Sequence, residues 1–322
     1  MLKKIIRYIS NKPLYGKYYR LLDPPTAKEK EDIKKLKKTF KELPYEVAEN
    51  CPKSERLWKQ NMNNLRELVL KNNPREFLRW DIILGTMFVG NEQYVLTELN
   101  DLRKKYDWKN RWEKAIQEVS VGNPIPFDKY HHSSPNLIHH AYHLSQFEEM
   151  TGISTDKIDC VFEFGGGYGS MCRLFHNLGF KGKYLIFDLP HFSALQTYYL
   201  KTIGIPVYEF DRIQASENGV VCVSDIGILK KMLSSYNGCR HSIFIATWSI
   251  SEAPLNIRDS ILPSVSHFRS FLIAYQEYFC EINNIKYFEN FKNYFDKKII
   301  WNQREIRHLP GNTYLVGTQN LH

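Results

Sequence analysis

Apolar positions in the first half of the chain recur every three to four residues. The stretch "SERLWKQNMNNLRELVLKN" predicts a helix with Ser54 as its N-cap, and "NPREFLRWDIILGTMF" opens on Asn73 as a cap with Pro74 at the first helical position. In "NEQYVLTELNDLRKKYDW" Val95, Leu99 and Leu102 fall on one helical face, and "NRWEKAIQEVS" is a shorter amphipathic segment. The two prolines of "VGNPIPF" then break the pattern. From residue 158 the period changes: the β-rich runs "CVFEF", "KYLIF", "PVYEF", "VVCV", "SIFIA" and "FLIAY" alternate with helical segments. Such alternation predicts βαβ units and a parallel sheet covered on both faces. The final "KKIIWNQREIRHLPGNTYLVGTQ" is two strand-like runs around "PGN", which predicts an antiparallel hairpin added to that sheet. The fold expected is therefore α/β, with a helical N-terminal region over 1–130 and a Rossmann-like domain over 131–322.

Charge changes the picture at one end only. Residues 1–41 hold 13 Lys and Arg against 4 Asp and Glu, while the remainder holds 31 of each, so the formal net charge of +9 describes an N-terminal arm on a neutral body. A neutral body argues against a nucleic-acid partner, whose footprint needs a basic face. Within the arm Leu2, Ile5, Ile6 and Ile9 share one helical face beside Lys3, Lys4 and Arg7. Two readings follow: peripheral attachment to an anionic membrane surface, or a docking helix followed by the solvated run "KEKEDIKKLKK". No apolar run approaches the roughly 18 residues of a membrane span. The six cysteines are scattered, with no CxxC pair, which points away from a disulfide framework or structural zinc and towards a reducing cytoplasm. The expected location is cytoplasmic, with the inner face of the membrane as the place the arm would hold.

The chemistry concentrates in "VFEFGGGYGSMCRLFHNLGFKGKYLIFDLP". An apolar run ends at Phe164, glycines follow at Gly165, Gly166, Gly167 and Gly169, and a helical pattern runs from about Tyr168, with Met171, Leu174, Phe175 and Leu178 on one face and Gly179 as its stop. A helix N-terminus behind a glycine turn suits a carboxylate or phosphate. A P-loop needs GxxxxGK[ST], which is absent, and a dinucleotide fingerprint needs glycine where Ser170 stands. S-adenosylmethionine (SAM) fits better. Glu163 can attract its ammonium, the turn suits its carboxylate, and Asp188, followed by Leu189 at the end of the second strand, can accept from the ribose hydroxyls. For the adenine, Asp225 serves if "VVCV" is the third strand, and "PVYEF" with Asp211 after it is the rival. Thr247 closes the fourth strand on the same edge.

The motifs "VFEFGGGYG" and "YLIFDLP" resemble the first two motifs of class I SAM-dependent methyltransferases. With "ATWSISEAP", "EFLRWDIILGTMFVG" and "YHHSSPNLIHHAYHLSQFEEMTG", the span 75–320 is similar to bacterial sugar O-methyltransferases of surface-polysaccharide assembly. The resemblance implies a seven-stranded methyltransferase sheet, SAM as cofactor, and a small-molecule or glycan hydroxyl as acceptor. Another small-molecule acceptor, or a scaffold subunit that holds SAM without turnover, are the alternatives.

An alcohol is a weak nucleophile and needs a general base. Glu252, after the fourth strand, and His308, in the terminal hairpin, are the candidates for that role. His139, His140 and His143, with Tyr142 and Trp248, are candidates for acceptor contact. His139 and His143 share a helical face, but no acidic third ligand accompanies them in the sequence, so no metal is expected. The end of the fourth strand reads Thr247-Trp248-Ser249-Ile250, which lacks the D/N-P-P-Y/F of exocyclic amino methylation and the Pro-Cys of cytosine C5 chemistry.

Overall fold

The computed structural model describes residues 20–47, 49–209, 218–234, 239–295 and 298–319. Leu2, Ile5, Ile6 and Ile9 of the basic arm, and Asp211, lie outside the described residues.

Seven strands form one sheet: β1 (Cys160–Phe164), β2 (Lys183–Phe187), β3 (Gly219–Val223), β4 (Ser242–Thr247), β5 (Ser270–Gln276), β6 (Ile299–Glu305) and β7 (Asn312–Gln319). Their spatial order is β3-β2-β1-β4-β5-β7-β6. The first five pair in parallel, and β7 pairs antiparallel with both β5 and β6. This is the Rossmann-like seven-stranded sheet with an antiparallel terminal hairpin that the sequence predicts. Strand order reverses between β1 and β4, so the switch point lies between them. "GVVCV" is the third strand. In its rival, Val207 makes a single parallel bridge to Val220 along the outer edge.

The helices that matter below are α1 (Ala27–Glu42), α2 (Lys53–Lys71), α3 (Gln93–Arg103), α4 (Pro135–Thr151), α5 (Ser170–Asn177), α6 (Pro190–Thr202), α7 (Ile226–Ser234), α8 (Leu255–Val265) and α9 (Asn284–Tyr294). The charge run forms α1, whose Leu36 and Phe40 are buried while most of its lysines face solvent. A capping box joins Thr26 to Glu29 at its start. In α2 the expected cap is displaced: Pro52 occupies the N-cap, and Ser54 lies in the first turn, where its hydroxyl donates to Glu281 at 2.7 Å. Asn73 does cap, accepting from Arg75 N, but the segment behind it splits into a 3-10 helix, Pro74–Arg79, and a short α-helix, Asp81–Thr86.

Each face of the sheet has its own core. Phe162, Phe244 and Phe271 pack one face against α7, α8 and α9. On the other face Val161, Tyr184 and Ile243 join a single cluster with Phe40, Leu65, Phe77, Leu99 and Leu144. The N-terminal helices thus share a continuous core with the sheet across residue 130.

One expectation is overturned. Cys160 and Cys239 form a disulfide, 79 residues apart in sequence. Cys160 opens β1, and its register partner Ser242 opens the neighbouring β4, so parallel pairing brings the start of one strand to the approach of the other. Cys172, Cys222 and Cys280 are free thiols. No helix among the described residues is long and apolar enough to cross a membrane.

Candidate active site

The glycine turn sits at the carboxyl end of β1, where a ligand of an open α/β sheet is expected. Gly165, Gly167 and Gly169 have φ of 72°, 60° and 95°, the left-handed region that disfavours any side chain. Gly165 N–H donates to Phe187 O at 2.7 Å, tying the turn to the end of β2. Space is as restrictive as torsion. A Cβ on Gly165 would lie 2.2 Å from Ser249 Cβ, and one on Gly166 would lie 2.6 Å from Ile186. Met87, from the N-terminal region, rests against Gly167.

Two carboxyl groups flank this turn. Asp188 accepts from Gly167 N (3.1 Å), Leu189 N (2.8 Å) and Gln196 Nε2 (2.7 Å). Burial pushes its pKa up to about 7, against the pull of those three donors. Gln196, on α6, also donates to Gly167 O, so it braces the turn and Asp188 together. Its Oε1 is buried without a partner among the described residues. Glu163 lies beneath the turn, 3% exposed, and accepts from Tyr184 OH at 2.8 Å. Burial drives its pKa up to about 8. Among the described residues neither carboxyl is paired with a cation and Glu163 accepts from Tyr184 alone, so an ammonium suits Glu163, while ribose hydroxyls suit Asp188 and the orphaned Gln196 Oε1 beside it. On these grounds the residues present fit SAM, with Glu163, Asp188, Gln196 and the glycine turn as the holding set.

The other four cofactor candidates are each placed differently. Tyr168 points inward: its ring lies edge-on to Phe77 and Tyr199, and its hydroxyl accepts from Asn136 at 3.0 Å, so the side chain anchors the turn to α4. Leu189 is the N-cap residue of α6, with Pro190 at the first helical position. Asp225 is exposed and accepts from Ile228 N at 2.8 Å at the start of α7. Thr247 ends β4, half-buried, on the same edge.

Beyond Thr247 the backbone turns through Trp248, which has φ 62°. A bulky residue persists there only when its surroundings over-determine it. Trp248 N–H donates to Ala274 O, Trp248 Nε1 donates to Asn312 Oδ1 at 2.6 Å, and the ring stacks on His139 at 5.5 Å. Next along the chain, Ser249 donates to Phe164 O, which couples this turn to the glycine turn.

Helix α4 brings the histidines to this point. His139 Nδ1 lies 2.8 Å and 3.0 Å from the two oxygens of Glu98, on α3. His308, from the β6–β7 hairpin, approaches the same carboxylate, with Nε2 2.7 Å from Oε1. His143 Nδ1 lies 2.5 Å from Tyr314 OH, and the His139 and His143 rings are 4.1 Å apart. Burial and the neighbouring imidazole of His139 push His143 well below its ordinary value and bring His140 down to about 3, so both are neutral. Tyr142 packs edge-on against His308, and Tyr94 stacks on it. His139, His143, His308, Tyr142 and Trp248 therefore form one cluster with Glu98, and His140 lies beside it. Glu252 stands elsewhere: it closes the single helical turn Ser249–Glu252 and accepts from Gln276 at 3.2 Å, while the buried Arg258 secures that turn through the Ser251 and Ala253 carbonyls. No group of three or more His, Cys, Asp or Glu among the described residues is placed to hold a metal ion.

Sequence reasoning missed Glu98, Gln196 and Asn136. Glu98 and Gln196 each left a trace, as a polar residue on the buried face of an amphipathic helix.

No family model matches the chain, and no curated protein matches it in sequence. Among solved structures, the chain is similar to the N-terminal domain of human METTL16 in complex with SAH, at 10% identity and TM-score 0.39, covering 70% of this chain and 92% of that one. It is similar to precorrin-6y C5,15-methyltransferase from Geobacter metallireducens at 10% identity and TM-score 0.37, covering 58% and 89%. A third is the glycopeptide N-methyltransferase MtfA complexed with sinefungin, at 12% identity and TM-score 0.35, covering 55% and 85%.

Proposed function

We propose that this chain is a SAM-dependent methyltransferase acting on a hydroxyl group, with a sugar of a surface glycan as the acceptor. The observation that carries the cofactor is the glycine turn bonded to Asp188 at the switch point of the sheet, with the orphaned Gln196 Oε1 beside it. Under this reading Asp188 and Gln196 take the ribose hydroxyls, and Glu163 faces the ammonium. The turn's backbone, with the N-terminus of α5 behind it, receives the carboxylate. SAM, when bound, supplies a methyl group on a sulfonium that leaves as a neutral thioether.

The protein's own work is then to position the acceptor and remove its proton. The imidazole cluster around Glu98 lies where the end of β4 meets the terminal hairpin, and it offers ring nitrogens for that proton. His308 is one candidate base there, and Glu252, on the turn after β4, is the other. The aromatic faces of Trp248, Tyr94 and Tyr142 suit the apolar face of a sugar ring. The sugar itself rests on the resemblance of "ATWSISEAP" and the α4 segment to sugar O-methyltransferases.

The test is calorimetry and thermal unfolding with S-adenosylhomocysteine and, separately, NADH. S-adenosylhomocysteine should bind and raise the melting temperature, because it binds only the folded state; at 100 times its dissociation constant the gain is about 2.7 kcal/mol. Binding of NADH with none of the SAM product would end this reading. A gain of one methyl mass on a glycan acceptor, lost when that hydroxyl is blocked, identifies the substrate.

A further inference from the structure

Glu98 belongs to no motif of the sequence, and its side chain is fully buried. It carries the closest set of charge-bearing contacts in the imidazole cluster. His139 Nδ1 faces both of its oxygens, at 2.8 Å and 3.0 Å, and His308 Nε2 faces Oε1 at 2.7 Å. An ionised carboxylate only accepts, so each ring nitrogen facing it carries a proton. Burial pushes the Glu98 carboxyl up, yet with hydrogen bonds from His139 and His308 it stands below its ordinary value. The other titratable groups around it do not compete for its charge. His140 and His143 are neutral, and burial pushes the phenols of Tyr142 and Tyr314 up, with Asp101 and Arg304 acting on Tyr142 from further out.

The two histidines bonded to Glu98 are not equivalent. His139 is the one stacked on Trp248, and the chain then runs through Ser249 to Phe164 O and Gly165. Of the two, it is therefore the imidazole coupled more directly to the carboxyl ends of β1 and β4. With Nδ1 committed to Glu98, Nε2 is the ring nitrogen left to face an acceptor.

We propose that Glu98 is a positioning residue of the methyl-transfer site, fixing His139 as the Nδ1–H tautomer so that Nε2 receives the acceptor's proton. This rests on the methyltransferase reading above. As the acceptor oxygen bonds to the methyl carbon and the carbon–sulfur bond breaks, the hydroxyl proton moves to His139 Nε2. The imidazolium that results faces the Glu98 carboxylate, which stabilises it, and release of the proton to solvent resets the site. His308 steadies the carboxylate from its other side. His139 is thus the base, ahead of His308 and Glu252.

The experiment is a pH titration of the full chain labelled with ¹⁵N-histidine, for wild type, Glu98→Gln and His308→Asn, reading tautomer and pKa of each ring. A free imidazole favours the Nε2–H form, so the expected wild-type signature of His139, protonated at Nδ1, is diagnostic. Glu98→Gln replaces the anionic acceptor by a neutral amide and should shift His139 towards the Nε2–H form. His308→Asn should leave the Nδ1–H tautomer of His139 in place. A wild-type His139 protonated at Nε2, or a His139 tautomer unmoved by Glu98→Gln, overturns the proposal. If Glu98→Gln does not fold, the wild-type tautomer and its retention in His308→Asn decide. Calorimetry with S-adenosylhomocysteine on the same samples separates the two layers. Failure of wild type to bind it sinks the methyltransferase reading, whereas binding with the wrong tautomer sinks only the role of Glu98.

Discussion

Replacing Glu163 by Gln should make the protein more stable at neutral pH and worse at holding its cofactor. Glu163 is buried beneath the glycine turn with the Tyr184 hydroxyl as its hydrogen-bond partner, and its pKa rises from 4.5 to about 8. A carboxyl whose folded pKa is raised stabilises the fold below its unfolded pKa, and that contribution is lost as pH rises through the folded value. The window is therefore pH 4.5 to about 8. Inside it the folded state holds one more proton than the unfolded state, so stability falls by about 1.4 kcal/mol per pH unit. Between pH 5.5 and 7.5 the wild type should lose roughly 2–3 kcal/mol on account of this group. Glu163→Gln keeps the size and the hydrogen bond but cannot ionise, so its stability should lack that slope. The assay is urea unfolding at half-unit steps from pH 5 to 9 for both proteins. Asp188, with its pKa near 7, titrates in both, so the difference between the two curves isolates Glu163. Adding S-adenosylhomocysteine should reverse the ranking, since its ammonium favours the ionised carboxylate that only the wild type has. Parallel stability curves for the two proteins across this range would refute the reasoning.

Two further outcomes follow from geometry. Gly165→Ala meets a φ of 72° and a Cβ overlap with Ser249, which should cost roughly 2–5 kcal/mol in urea unfolding, with partial recovery in the double variant carrying Ser249→Gly; no recovery would place the cost elsewhere. Cys239→Ser should lower stability by roughly 2–5 kcal/mol and abolish the effect of reductant on unfolding, and a wild type indifferent to reductant would contradict the Cys160–Cys239 pairing.

The sheet was legible because its strands are short, apolar on both faces and separated by helical periods. "VVCV" prevailed over "PVYEF" because it can be buried across a sheet, whereas Pro206 and Glu209 suit an edge where one backbone bridge suffices. Gly165 and Asp188 were legible because turn chemistry is local. What escaped was long-range. Glu98 falls between Val95, Leu99 and Leu102 on the buried face of α3, and its meaning depends on His308, 210 residues later. Gln196 sits in the same way among Phe192, Leu195 and Tyr199. Tyr168 stands inside the glycine motif, where a residue is expected to face the ligand, yet a tyrosine in the turn just ahead of a packed helix has more apolar surface to gain inward. Cys239 carried no local mark at all: only the pairing of β1 with β4 brings it to Cys160.

The core that runs unbroken from Phe40 and Leu65 through Phe77 and Leu99 to Val161 and Tyr184 bears on how such a protein can diversify. An enzyme whose acceptor-binding part is a separate module can exchange that part by recombination and keep its catalytic half. Here the helices that would shape acceptor choice also seal one face of the sheet, and Met87 lies on the glycine turn itself. Swapping the N-terminal half between divergent relatives would open cavities and overlaps along the whole interior. Under the methyltransferase reading, new specificity should come from single substitutions around Trp248, Tyr94 and Tyr142, and chimeras joined near residue 130 should be recovered as insoluble chains.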